Sequence, residues 1–159
     1  MLSTILVLIA LGAIIYAGTY VIKYILGQSD TILFQNFPRT DVPYVTLNIQ
    51  GKLLNMIVDT GCGISILSKD ALKDLKYEES PRKINLNSLT PSSLVTEVVT
   101  VPFVIGGKEI KEDFSVYSQD DIGCFGANYG VVMHGLLGNE FFAKTKCKID
   151  FKKNSLIIP

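Results

Sequence analysis

The chain has no surplus of either charge: Lys and Arg together number 15, as do Asp and Glu, across 159 residues. A protein that grips a phosphate backbone needs a basic field, so nucleic acid is excluded as a partner. Histidine is almost missing. His134 is the only imidazole through which serine or cysteine nucleophile chemistry could run, and a histidine near a strand end is more simply a satisfied structural group. Cysteine is scarce too. Cys62, Cys124 and Cys147 form an odd set with no C-x-x-C spacing, which excludes a complete disulfide framework and favours a reducing compartment. No Cys/His/Asp cluster has zinc-ligand spacing, so no metal site is expected. With no internal repeat and no low-complexity tract, one folded unit plus a short appendage is what this length supports.

What the sequence has in excess is apolar residues, 48% of the chain with a mean hydropathy of +0.34. The excess sits at the N-terminus. From Thr4 to Ile22 no charged residue occurs, a run long enough to cross about 30 Å of hydrocarbon as a helix. Residues 1–26 therefore read as a single-pass transmembrane anchor in contact with lipid, with Tyr16, Tyr20, Lys23 and Tyr24 suited to the interface. A cleaved signal peptide is the alternative, but Met1-Leu2-Ser3 has no basic residue and the run exceeds an ordinary signal core. Lys23 and Arg39 follow the span while nothing basic precedes it, which places the globular part on the cytoplasmic side. Residues 27–37 read as a linker. The folded domain, 38–159, is expected to begin where Pro38 and Pro43 forbid a continuing helix.

Within that domain the pattern is one of short strands and turns. Tyr44 to Ile49 alternates with period two, Gln50-Gly51-Lys52 turns the chain, and Leu53 to Val58 resumes as an apolar strand. Ile64 to Leu67 follows as a strand, and Ser68 caps a short helix running through Leu75. Ile84 to Leu89, Leu94 to Ile105 and Ile110 to Tyr117 read as further strands, with Gly106-Gly107 between the last two. Residues Gln119 to Tyr129 are loosely patterned and read as a surface excursion. A short helix is expected from Asn139 to Lys144, then a closing hairpin of Lys148 to Phe151 and Ser155 to Ile158. The expected fold is mostly β, a small closed barrel-like lobe with one or two short helices.

The chemistry enters at Val58-Asp59-Thr60-Gly61, where an acid ends an apolar strand and is followed by residues that turn the backbone and present amide groups to a carboxylate. By itself an Asp heading a turn is commonly just a turn former. A second element stands further along: Gly135-Leu136-Leu137-Gly138 followed by a short helix. Together, and in this order, these segments resemble the single-lobed retropepsin-like aspartyl protease family across roughly Val42 to Pro159. The resemblance implies Asp59 as the catalytic acid, Thr60 and Gly61 as bracing residues of its loop, and Leu136, Leu137 and Gly138 as support beneath it. It implies a flap formed by Leu89, Thr90, Pro91, Ser92, Ser93, Leu94 and Val95 that closes over an extended peptide or protein substrate.

The chain holds a single Asp-Thr-Gly and is too short for two lobes, so the second carboxylate must come from another copy in a homodimer. Two carboxylates so close share one proton: the charged member activates a water and the protonated one polarises the scissile carbonyl. That chemistry requires neither metal nor organic cofactor. Three features depart from the family pattern. Gly63 after Cys62 removes a side-chain hydrogen bond to the acid, which predicts an altered pH dependence; the flap tip lacks glycine; and the Gln119–Tyr129 segment is long. Cys62 reads as a small buried thiol before a redox group. The competing function is a membrane-tethered, catalytically inactive dimerisation or peptide-binding module of the same fold.

Overall fold

A computed structural model describes residues 30–38, 40–86, 94–127 and 129–159 of the chain. Two sheets make up most of it. The larger has eight strands in the order β2-β3-β4-β9-β5-β8-β7-β6, where β2 is Gln35–Asn36, β3 Pro43–Ile49, β4 Lys52–Val58, β5 Ser65–Ser68, β6 Glu78–Leu86, β7 Leu94–Ile105, β8 Lys108–Tyr117 and β9 Gly135–Leu137. The smaller has the order β1-β11-β10, with β1 Asp30–Leu33, β10 Lys148–Asp150 and β11 Ser155–Ile158.

The alternation read in the sequence is realised in β3 and β4. Val45, Leu47 and Ile49 on one strand, and Leu54, Met56 and Val58 on the other, enter one buried cluster with Phe114, Leu137, Phe141 and Leu156. The strands join through Gln50 and Gly51, both at positive φ (54° and 87°), the pair of left-handed residues that a tight hairpin turn demands. Gln50 tolerates that conformation because its side-chain amide is held on three sides. Its Nε2 donates to the carbonyls of Lys76 and Pro102, at 2.8 Å each, and its Oε1 accepts from the Lys76 amide at 2.7 Å.

Several expectations change. Asp30–Leu33, expected within a linker, is a strand that pairs antiparallel with β11 from Asp30↔Ile158 to Leu33↔Ser155. Its partner lies at the other end of the sequence, so no local signal announces it. The following residues are also committed to the fold, with Phe34 and Phe37 both buried. Among the described residues the large sheet does not close into a barrel, its end strands β2 and β6 pairing only inward. Instead the three-stranded sheet covers the core through Leu156 and Ile158.

The described residues contain three helices, not one or two: α1 Lys69–Leu72, α2 Gln119–Ala127 and α3 Asn139–Thr145. Helix α1 is capped as expected, the Ser68 hydroxyl accepting from Ala71 N at 3.1 Å, though it ends before Leu75. Helix α2 replaces the expected surface excursion. Gly123 and Gly126 lower helix propensity and hid it, but Gly126 is required by space: a Cβ there would sit 2.0 Å from the Val131 carbonyl oxygen. The apolar segment 1–26 lies outside the described residues, among which no helix is long and apolar enough to cross a membrane.

Candidate active site

The loop that carries Asp59 is shaped by one topological fact. Strand β9 is inserted between β4 and β5, parallel to the first (Ile57↔Leu136, Val58↔Leu137) and antiparallel to the second (Ile66↔Leu136). The chain leaving β4 must therefore arch over the end of β9, a span of about 10 Å at ordinary strand spacing, before it re-enters the sheet as β5. Residues 59–64 make that arch.

At its start the Asp59 amide donates to Leu137 O at 3.1 Å, extending the β4–β9 ladder by one residue. The strand alternation then puts Asp59 on the face of Ile57, away from Met56 and Val58. The Gly61 amide donates to Asp59 Oδ1 at 2.9 Å, and the Cys62 amide closes the turn on Asp59 O at 3.3 Å. Asp59 is half-buried, whereas Thr60 and Gly61 are exposed at the crest.

Beneath the arch the backbone packs without room for a side chain. A Cβ at Gly138 would lie 2.3 Å from the Ile64 carbonyl carbon and 2.4 Å from its oxygen, and one at Gly135 would lie 2.1 Å from Ile66 O. Because Gly138 has φ −92°, it is chosen for space and not for its backbone angle. Helix α3 starts at this contact. Its first amides donate to the far side of the arch, Asn139 N to Cys62 O at 2.7 Å and Glu140 N to Gly63 O at 3.0 Å. Leu137 is fully buried in the main core, while Leu136 joins a second cluster with Ile57, Ile66, Phe37, Tyr44, Ile122 and Met133 on the face shared with Asp59. Helix α2 supplies Ile122 and so closes that face.

Other sequence-level candidates take structural places. Cys62 Sγ donates to Ile64 O at 3.1 Å; burial, and then the nearby Asp59 charge, push its thiol above the ordinary range despite that bond, which keeps it protonated and argues against a redox role. His134 bridges strands: Nδ1 accepts from Asn55 N at 3.0 Å, its own amide donates to Asn55 O at 2.9 Å, and its carbonyl accepts from Ser68 N at 2.8 Å. Burial lowers the imidazole pKa below 6.5, in keeping with a neutral acceptor. Cys147 is half-buried beside the main core. Of the expected flap, Leu89 to Ser93 lie outside the described residues; Leu94 and Val95 open β7, in register with Leu86 and Asn85 of β6. The surface hollows lined by Gln50, Lys76 and Pro102, and by Tyr77, Arg82 and Glu97, do not include Asp59. The acid of a single chain stands on an exposed loop.

One group escaped the sequence reading. Ser65 Oγ accepts from the Gly138 amide at 3.1 Å and donates to Glu112 Oε1 at 2.8 Å, while Lys144 Nζ donates to Glu112 Oε2 at 2.9 Å. Ser65 and Glu112 have no exposed surface. The available signal was polarity out of phase, a serine and a glutamate where apolar strands turn inward.

A family model described as aspartyl protease matches residues 45–141, and the chain belongs to that family. Among solved structures it is similar to a retropepsin-like aspartic protease from Rickettsia conorii, with a TM-score of 0.50 and 23% identity over 82% of this chain and 89% of that one. It is also similar to the retroviral protease-like domain of Ddi1 from Leishmania major, with a TM-score of 0.45 and 18% identity over 76% of this chain and 96% of that one. EIAV protease gives a TM-score of 0.47 and 19% identity over 73% of this chain and 99% of that one. A comparison with curated protein sequences finds no match. The fold is retropepsin-like.

Proposed function

We propose that this protein is an aspartic endopeptidase whose active centre assembles when two copies bring their Asp59-Thr60-Gly61 loops together. The observation that carries the reading is the Asp59 carboxylate, fixed by the Gly61 amide on an exposed arch, in a chain with one such loop. Across a twofold axis Asp59 and its symmetry mate share one proton. One acts as base on a water, the other as acid on the peptide carbonyl, and the water adds without an acyl-enzyme. Exposed Thr60 is free to brace the opposite loop. The β6–β7 hairpin closes over an extended peptide, so Leu89 to Val95 contact substrate main chain.

We place the protein in a membrane through residues 1–26, with the globular part on the cytoplasmic side. Support comes from the uncharged run and the lysine after it. Asp30 pairs with Ile158, which touches Gly106 in the β7–β8 turn.

The test uses the full chain in detergent: cleavage of a peptide library from acidic to neutral pH, with pepstatin and Asp59→Asn as controls and sedimentation to establish the dimer. Cleavage lost in both controls supports the protease. A folded dimer that binds peptides without cutting them refutes it in favour of the inactive binding module.

A further inference from the structure

The active arch is held from below by a charged pair that the proposed chemistry does not use. Ser65 follows the arch directly, and its hydroxyl oxygen is the acceptor for the amide of Gly138, which packs against the Ile64 backbone with no room for a Cβ. A serine hydroxyl rotates freely unless something fixes its proton. Here Glu112 does, its Oε1 accepting the hydrogen bond that the hydroxyl donates and leaving the hydroxyl lone pairs turned to Gly138. Glu112 is in turn fixed through Oε2 by Lys144, whose ammonium also donates to Lys111 O at 2.7 Å. Lys144 lies on α3, the helix whose first amides hold the Cys62 and Gly63 carbonyls. One helix thus grips the arch twice: directly at its first turn, and at its last turn through Lys144, Glu112 and Ser65.

We propose that Glu112 and Lys144 are positioning residues of the active centre, locking Ser65 as the acceptor for Gly138 and thereby setting the height at which the Asp59 loop stands over β9. The inference rests on the aspartic protease reading for its effect on turnover, but not for its effect on the loop. The charged groups around Glu112 are Lys144 on α3, Arg82 on β6, and its neighbours Lys111 and Asp113 on β8; Ser65 is its polar partner on β5. Among the described residues, Lys144 and Ser65 are the groups that hydrogen-bond its oxygens. An uncharged Glu112 tolerates full burial without the ammonium, and a charged one does not.

Three full-chain variants test this by steady-state kinetics across pH and by hydrogen exchange of the segment around Gly138. Ser65→Ala is expected to lower kcat at least tenfold with KM within twofold, and to speed exchange at Gly138 to Glu140. Lys144→Met leaves Glu112 without its cation, so kcat should fall away on the alkaline side at least one pH unit earlier than in the parent. Adding Glu112→Gln to Lys144→Met should move that limb back toward the parent position, a rescue that a generally weakened core would not show. If the parent is active and Ser65→Ala and Lys144→Met keep its kcat, pH profile and exchange, the positioning role is overturned. If the parent has no activity yet Ser65→Ala still speeds exchange at Gly138, the brace stands and the protease reading fails. If exchange at Gly138 is unchanged in every variant, the brace fails whatever the activity.

Discussion

Replacing Gly138 by alanine isolates the contact on which the arch depends. The added carbon would stand 2.3 Å from Ile64 C, 2.4 Å from Ile64 O and 2.8 Å from Ser65 N, all backbone atoms with no rotamer to escape into. Relief requires the two segments to separate by about 1 Å, well beyond what a packed interior absorbs without strain. That movement stretches Asn139 N to Cys62 O from 2.7 Å, Glu140 N to Gly63 O from 3.0 Å and Gly138 N to Ser65 Oγ from 3.1 Å. At about 1 kcal/mol for each bond lost, the substitution should destabilise the fold by about 3 kcal/mol. For a domain of this size that is a fall of about 10 °C in Tm. Because the same displacement tilts Asp59, activity should drop by more than the folded fraction accounts for. Thermal unfolding by circular dichroism, with activity measured well below Tm, checks both. A Gly138→Ala protein within 2–3 °C (about 1 kcal/mol) of the parent would refute the close-approach argument.

The other outcomes are simpler. Asp59→Asn should reduce turnover by about 10³-fold or more without a loss of folding, measured by peptide cleavage beside a melting curve. His134 should make the fold acid-sensitive: its ordinary pKa is 6.5 and burial lowers it in the folded state, so between the two values the unfolded chain binds more protons. Stability is then fully present above 6.5 and lost as pH falls below it, a slope that urea titrations at several pH values should show and that His134→Gln should flatten. Arg82 makes two short bonds to Glu140, at 2.7 and 2.6 Å, which raise its pKa and lower that of Glu140. Both side chains are more than a third exposed (43% and 40%), so after solvent screening Arg82→Ala should cost no more than about 1 kcal/mol in chemical denaturation.

The two motifs, most strand runs and the short helices around Lys69 and Asn139 were legible because local signals announce them: alternation, a capping serine, glycines at turns. The strand at Asp30–Leu33 was not, since its only reason to be a strand is β11, more than a hundred residues away. Helix α2 was hidden for the opposite reason. Its glycines argue against a helix locally, and tertiary contact overrules them, with Gly126 against Val131 O and Ile122 buried on the Asp59 face. The motif Leu136-Leu137-Gly138 was readable as a motif, but its meaning came from topology: β9 lies between the strands that flank the acid, and its two leucines face different clusters. The Ser65–Glu112–Lys144 chain joins three elements distant in sequence, and polarity at isolated buried positions says nothing about which partner each has.

The proposed dimeric site makes unequal demands on the two surfaces of the arch. Its crest must meet a second copy, so Thr60 and Gly61 are exposed. Its carboxylate must nevertheless stand within about 0.5 Å of a productive position in each copy, because the dyad is made from both. A loose loop would pay its ordering entropy twice on assembly, at about 1–2 kcal/mol for every residue fixed. The underside removes that cost before the copies meet. Gly138 allows backbone contact, the amides of α3 hold the carbonyls of Cys62 and Gly63, and Asp59 is tied to both Leu137 and Gly61. Preorganisation of this kind lets a modest interface suffice, since association has only to join two arches already in shape.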